Sequence, residues 1–309
     1  MLKIGCVNLD ISHPKTLARA MKDDQMDMAY TGVYNDGFRS DAEVDAFMRQ
    51  YDVGTRYESL AAMAKDVDIA FIHDCNWDKH LAHALPFLKA GKPVFIDKPA
   101  VGNLRDCREL ERLAAGGAVI LGSSSVRYCD ELEALKKRIA ENRETVMTVF
   151  AAAGVDEFNY GIHIMEGVHG LLGAGACSAS YLGTVRHENI SADQYRVKWA
   201  NGIQVIYQTQ SNIWQPFSFT VTTDKAIHHV VPDPKMLYPA LLRRIASALA
   251  GDSATASAAE LAETVKIYLA GKKSRESGGR EIELARLQPD DPGFDGYAFE
   301  KHYAAANRA

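Results

Sequence analysis

Long hydrophobic runs are missing. No stretch approaches the roughly 18 apolar residues that span a bilayer, which sets aside an integral membrane helix. A surplus of positive charge is missing too. Lys and Arg number 35 against 40 Asp and Glu, a net charge of -5, which argues against a nucleic-acid or anionic-membrane partner. The five cysteines (Cys6, Cys75, Cys107, Cys129 and Cys177) include no C-x-x-C pair. Neither a zinc site nor a disulfide framework is expected, and reduced thiols fit a cytoplasmic location. Lys3-Ile4 leads straight into a predicted strand, so no signal peptide is expected. Internal repeats and low-complexity linkers are also absent.

One local absence bears on function. "KIGCVNLDISHPKTLARAM" (residues 3–21) runs from an apolar strand through a loop into a helix started by Pro14. A dinucleotide-binding fold carries G-x-G-x-x-G at this place. Here the three glycine positions read Asn8, Asp10 and His13. Asn and Asp tolerate left-handed backbone angles better than most residues. Ser12 or His13 can cap the helix, whose N–H groups favour an anion. The Asp10 carboxylate would either repel a phosphate or hold the turn by accepting loop N–H groups such as that of Ser12.

What is present is a chain rich enough in apolar residues, 47%, to bury a sizeable core. Over residues 1–122 apolar runs alternate with helical patterns. The runs are Leu2–Val7, Met28–Tyr34, Ile69–Ile72, Val94–Ile96 and Ala118–Leu121. This predicts a doubly wound parallel α/β sheet of Rossmann type. Residues 123–309 read differently, as an α+β domain with a mostly antiparallel, open sheet. A helix is predicted over 129–142, a strand over 145–152 and a helix over 161–172. "DQYRVKWANGIQVIYQTQ" then alternates Tyr195, Val197, Trp199 and Ile203, Val205, Tyr207 around Asn201-Gly202, a strong hairpin signal. A second hairpin is predicted in "FSFTVTTDKAIHHVV", then helices over 235–249 and 258–273. After Arg286 the chain reads as a polar tail over the surface. With helices on one sheet face only, an open apolar face bearing Tyr195 to Tyr207 would serve assembly as a homodimer or homotetramer.

Two segments carry candidate chemistry. "AGKPVFIDKPA" (90–100) puts Asp97-Lys98-Pro99 just past the end of a strand, where open α/β sheets bind ligands. A lysine there can exchange a proton with a substrate hydroxyl if its surroundings lower its pKa. "FNYGIHIMEGVHGLLG" (158–173) puts Asn159 and Tyr160 before His163 at a helix start. His163, Glu166 and His169 lack metal-site ordering, and no metal is expected. Trp77 could line a cofactor pocket or simply pack. Arg127 could reach substrate or form an ion pair. His228 and His229 point to opposite strand faces and read as structural.

Taken together, these segments resemble the glucose–fructose oxidoreductase / inositol dehydrogenase / MocA family. "CNWDKHLAHALPFLKAGKPVFIDKP" is similar to its "T-P-N-x-x-H … A-L-x-A-G-K-x-V-x-x-E-K-P", and "GSSSVRY" (122–128) to its "G-x-x-x-R-F". The resemblance implies that Lys98 is the acid/base residue and that His163, with Asn159 at the position of a family aspartate, assists it. It implies a cofactor, NAD or NADP with NAD favoured, held by Asn8, Asp10, Ser12, His13, Asn35, Asp36, Asn76, Trp77, Asp97 and Lys98. Asp36 stands where the family places an acid for the ribose, while Arg39 nearby could meet a 2′-phosphate. Arg127, Tyr160 and His163 would contact a sugar, cyclitol or related polyol. Two departures, the lost glycines and Asn159, motivate the alternative of a non-catalytic ligand-binding or regulatory relative. NAD-assisted glycoside cleavage is a third reading.

Overall fold

A computed structural model describes residues 1–122 and 124–307; Ser123, which falls in the "GSSSVRY" segment, lies outside the described residues, as do Arg308 and Ala309. Six strands form a parallel sheet. They are β1 (Leu2–Val7), β2 (Met28–Tyr34), β3 (Thr55–Arg56), β4 (Ile69–Ile72), β5 (Val94–Ile96) and β6 (Ile120–Gly122), in the spatial order β3-β2-β1-β4-β5-β6. Strands β4, β5 and β6 are buried at every position, which is why their sequences read as continuous apolar runs. Helices α1 (His13–Asp23), α2 (Asp41–Tyr51), α3 (Leu60–Asp66), α4 (His80–Lys89) and α5 (Leu104–Ala115) are the crossovers. Ser40 and Glu43 form a reciprocal capping box that fixes where α2 starts. The strand order reverses between β1 and β4, so the ligand crevice of this sheet lies beyond the carboxyl ends of those two strands.

The second half holds helix α6 (Asp130–Glu141), strand β7 (Val146–Ala153), helix α7 (Gly161–Leu172) and strands β8 (Ala176–His187), β9 (Ile190–Trp199), β10 (Gln204–Ser211), β11 (Ser218–Thr223) and β12 (Ile227–Val230). Helices α8 (Leu237–Leu249) and α9 (Ala258–Glu276), strand β13 (Ile282–Glu283) and helix α10 (Gly296–Asn307) complete it. The seven-stranded sheet runs β12-β11-β7-β10-β9-β8-β13, antiparallel except for the β7–β10 pair. The Asn201-Gly202 hairpin is present, pairing Tyr207 with Tyr195 and Val205 with Val197.

The sheet-face expectation needs correction. Tyr195, Val197, Trp199, Val205 and Tyr207 are buried, and Ile203 is half-buried. This apolar set belongs to the helix-covered face: Gly271 of α9 sits against Tyr195 and Tyr207. The open face carries the alternate residues, a row of Thr220, Phe150, Ile206 and Arg196 across four strands. Alternation gave the right partition of residues, and packing against α9 decides which half points inward. The segment after Arg286 does run over the surface, but its last part, Gly296–Asn307, is a helix, α10, that the sequence reading did not foresee. Helix α8 crosses to the first sheet, where Leu241, Leu242 and Ile245 share a core with Leu17, Phe71 and Phe95. Among the described residues no helix is long and apolar enough to cross a membrane, and all five cysteines are free.

Candidate active site and dinucleotide crevice

The loop after β5 builds the first part of the site. Asp97 leaves the strand with its carboxylate held by three donors: Nδ1 of His13 and Nδ1 of His73, both at 2.8 Å from Oδ2, and the Lys98 amide at 2.8 Å from Oδ1. Burial alone would raise this carboxyl, yet His13 and His73 hold it well below the usual range. The chain continues as Tyr30 OH to His73 Nε2 at 2.8 Å. The Lys98–Pro99 peptide is cis. Lys98 is 8% exposed, and its Nζ donates to the Asn159 carbonyl at 3.0 Å and to Asn159 Oδ1 at 2.9 Å. Burial pulls its pKa below the ordinary lysine value, opposed by the charges of Asp97 and Asp156.

The second sheet's α7 brings His163 to the same place. Its Nδ1 meets the Ser124 hydroxyl, and its ring packs on Phe217 at 4.8 Å. Burial first, then the Lys98 cation, holds its pKa well below the ordinary value, so the ring is neutral. Asp156 organises the approach by accepting the amides of Phe158 and Tyr160, and the Tyr160 ring lies under Lys98 Nζ at 5.4 Å. His13, Asp97, Lys98, Ser125, His163 and Tyr238 line one small cavity of about 10 Å³. That is near the lower limit for a single water. A larger groove of about 490 Å³, lined by Met1, Met21, Met28 and Tyr51 among others, lies at the amino end of β2, away from Lys98.

The expected residues divide into those that converge and those that do not. Lys98, Asp97, Asn159, Tyr160, His163 and His13 come together. Arg127 does not reach the cavity as a free cation. It is buried and ion-paired to Glu166 at 2.9 Å and Glu260 at 3.1 Å, tying the 3₁₀ turn Ser125–Tyr128 to α7 and α9. Trp77 packs. Its Nε1 donates to the Phe294 carbonyl at 2.7 Å, and its ring meets Phe158 and Phe299. Sequence reading missed His73 and Ser124, the orienting partners of Asp97 and His163. The only signal for His73 was its place one residue past β4.

The β1–α1 turn keeps the backbone shape that the glycines would supply. Asn8 sits at φ 64°, in the left-handed region. Ser12 caps α1 without a side-chain hydrogen bond, leaving the first N–H groups of α1 uncapped by it. Asp36 stands past the end of β2. In these respects the residues fit a dinucleotide. The side chains that replaced glycine tie neighbouring loops together. Asn8 accepts from the amides of Asp36 and Gly37 and donates to Asp36 and Asp74. Asp10 accepts from Phe38 N at 3.1 Å and Cys75 N at 3.5 Å, not from Ser12. Burial, then the charge of Asp74, raises Asp10 to about 6. Asn35 Oδ1 accepts the Leu9 amide at 3.3 Å. Arg39 donates to the carbonyls of Leu9 and Asp10 and pairs with Glu43, so its guanidinium braces the turn.

Residues 5–124 match the family model described as "Oxidoreductase family, NAD-binding Rossmann fold". The inositol 2-dehydrogenase of Paracoccus denitrificans (strain Pd 1222) is 30% identical over 128 residues, 40% of this chain and 38% of that protein. The chain spans half or less of the length of the curated relatives it matches. Two solved structures share the fold. One is scyllo-inositol dehydrogenase from Lactobacillus casei with bound NAD(H) and scyllo-inositol, at 15% identity, TM-score 0.76, covering 92% of this chain and 99% of that one. The other is an oxidoreductase from Thermotoga maritima, at 12% identity, TM-score 0.76, covering 93% and 99%.

Proposed function

We propose that the chain is a member of the glucose–fructose oxidoreductase / inositol dehydrogenase / MocA family, supported by the NAD-binding Rossmann match over residues 5–124, and that it oxidises or reduces a sugar, cyclitol or related polyol with NAD or NADP. The observation that carries this reading is the buried Lys98, held between the two halves by Asn159 and set beside a neutral His163. A bound nicotinamide supplies the hydride acceptor or donor. The β1–α1 turn (Asn8, Asp10, Ser12, His13), Asn35 and Asp36 after β2, Asn76 after β4, and Asp97-Lys98 would hold that cofactor. Asp36 suits ribose hydroxyls, and with Arg39 committed to the turn NAD is preferred over NADP.

Lys98 takes or gives the hydroxyl proton. Burial lowers its pKa below the ordinary lysine value, which eases release of its proton. Asp97 fixes the backbone of Lys98, and its own orientation is fixed by His13 and His73. His163 holds the hydroxyl as a neutral donor or acceptor, with its tautomer set by Ser124. Asn159 orients Lys98 but adds no negative charge to stabilise an imidazolium on His163. Lys98 therefore carries most of the proton transfer. On any inositol or sugar that the wild type turns over, Lys98→Ala should lose 10²–10⁴-fold, the usual scale for one acid/base group, while NAD affinity by calorimetry stays within a few fold. Near-normal kcat in the variant would remove Lys98 from this role.

A non-catalytic ligand-binding role is the second reading. It is favoured by the side chains of Asn8 and Asp10, which fill the glycine positions.

A further inference from the structure

Helix α10 lies on the crevice where the strand order reverses. Its partners come from the loops after β1, β2 and β4, the three that border the site. Tyr303 packs edge-on against Phe38 with ring centroids 6.2 Å apart. Phe299 meets Trp77 at 5.0 Å and stacks on Tyr303 at 5.5 Å. The Gly296 amide donates to Asp78 Oδ2 at 2.8 Å. Glu300 accepts from Asn76 Nδ2 and from Lys79 Nζ, both at 2.9 Å. Its carboxylate also comes within 4.8 Å of the Asp10 carboxylate and the Cys75 sulfur.

These contacts place an anionic group and two aromatic rings where an anionic, ring-bearing ligand would lie. The donors that Glu300 occupies, Asn76 and Lys79, are side-chain donors after β4 that a diphosphate could use. A diphosphate arriving beside both Asp10 and Glu300 would meet like charges, so Glu300 must leave first. The helix is weakly held elsewhere: only Gly296 and Ala304 of its residues are buried. The segment before it is anchored more firmly. Asp291 pairs with Lys273, the Gly293 carbonyl accepts from Lys272, and Phe294 stacks on Phe158 at 4.0 Å. That leaves a hinge at Asp295, between a fixed strap and a shallowly seated helix.

We propose that α10 is an internal occupant of the dinucleotide crevice, and that NAD or NADP binds by displacing it through Glu300, Phe299 and Tyr303. The inference rests on the cofactor reading above and adds a gate to it. Binding then carries the fraction of molecules with α10 open as a penalty, and weakening the helix's hold removes that penalty.

Calorimetric titration of NAD and of NADP, with amide hydrogen exchange over 296–307, tests this on the full chain. The proteins are the wild type, a Phe299→Ala/Tyr303→Ala variant and Glu300→Gln, which keeps the side-chain shape. For a helix open about a tenth of the time, the double variant should bind about tenfold tighter, and Glu300→Gln should move in the same direction. In the wild type, dinucleotide should speed exchange across 296–307. Binding that leaves this exchange unchanged, or equal affinity in all three proteins, overturns the gate while leaving the cofactor reading intact. Fast exchange at α10 in the variants with no binding of either dinucleotide overturns both.

Discussion

Asp10 and His83 show how single residues set the pH response of the β1–α1 region. His83 Nδ1 lies 2.9 Å from Asp74 and Nε2 lies 3.3 Å from Asp36. Burial would lower its pKa, but hydrogen bonds to Asp36 and Asp74 outweigh burial and raise it to about 9. A histidine whose folded pKa exceeds its unfolded value binds more protons when folded. Its stabilisation is complete below about pH 6.5 and is lost as pH rises through 9. Asp10, raised to about 6, has the same sign in a lower window, because the folded carboxyl keeps a proton that the unfolded one has released above about pH 4. Stability should therefore fall in two steps from pH 4 to pH 9. His83→Gln should flatten the upper step, worth at most about 3 kcal/mol and less once solvent screening is counted, in urea unfolding curves taken at several pH values; an unchanged upper step would contradict the pairing. For Asp10→Gly, the hydrogen bonds to the Phe38 and Cys75 amides argue for lower stability, by roughly 1–3 kcal/mol. A more stable variant at pH 7 would show that desolvation of the carboxylate outweighs those bonds.

At the scale of elements, the pieces legible in sequence were those with a period or a turn signature. The bounds of α7 and the presence of a hairpin around Asn201-Gly202 follow from spacing and turn chemistry. Strand β3, of two residues, has too few positions to show a period. Helix α10 packs with few apolar residues against polar loops, so its pattern resembles surface chain. The Lys98–Asn159–His163 grouping was readable because two motifs bracket it. The His13–Asp97–His73 arrangement was not, because its members come from three elements that only the fold brings together. The β2–α2 loop offers a test of how tightly these pieces fit. A Cβ at Gly37 would run into Asp10 Oδ1, a buried carboxylate oxygen that accepts the Phe38 amide. Gly37→Ala should cost about 1–3 kcal/mol, read from the urea midpoint, and wild-type stability in this variant would show the loop to be loosely seated.

The whole molecule is two sheets sharing one cleft, with α8 clamped on the first sheet and α10 laid over the crevice. Assembly belongs to this scale. The open face of the second sheet carries exposed Phe150, with Leu182, Val185 and Ile227 also exposed on its strands. We predict a homodimer or homotetramer through this mixed face, dissociated by Phe150→Arg in sedimentation at micromolar concentration; a monomeric wild type would rule it out. The central claim is hydride transfer between a polyol carbon and a nicotinamide, and isotope transfer tests it most directly. The purified protein is incubated with NAD or NADP and a panel of inositol isomers and sugars deuterated at their hydroxyl-bearing carbons. Mass spectrometry then follows the cofactor. The account predicts that one deuterium is transferred as deuteride to the reduced nicotinamide, that NAD is labelled faster than NADP, and that Lys98→Ala abolishes the labelling. Unlabelled cofactor across the panel, from protein shown to bind NAD, would contradict it.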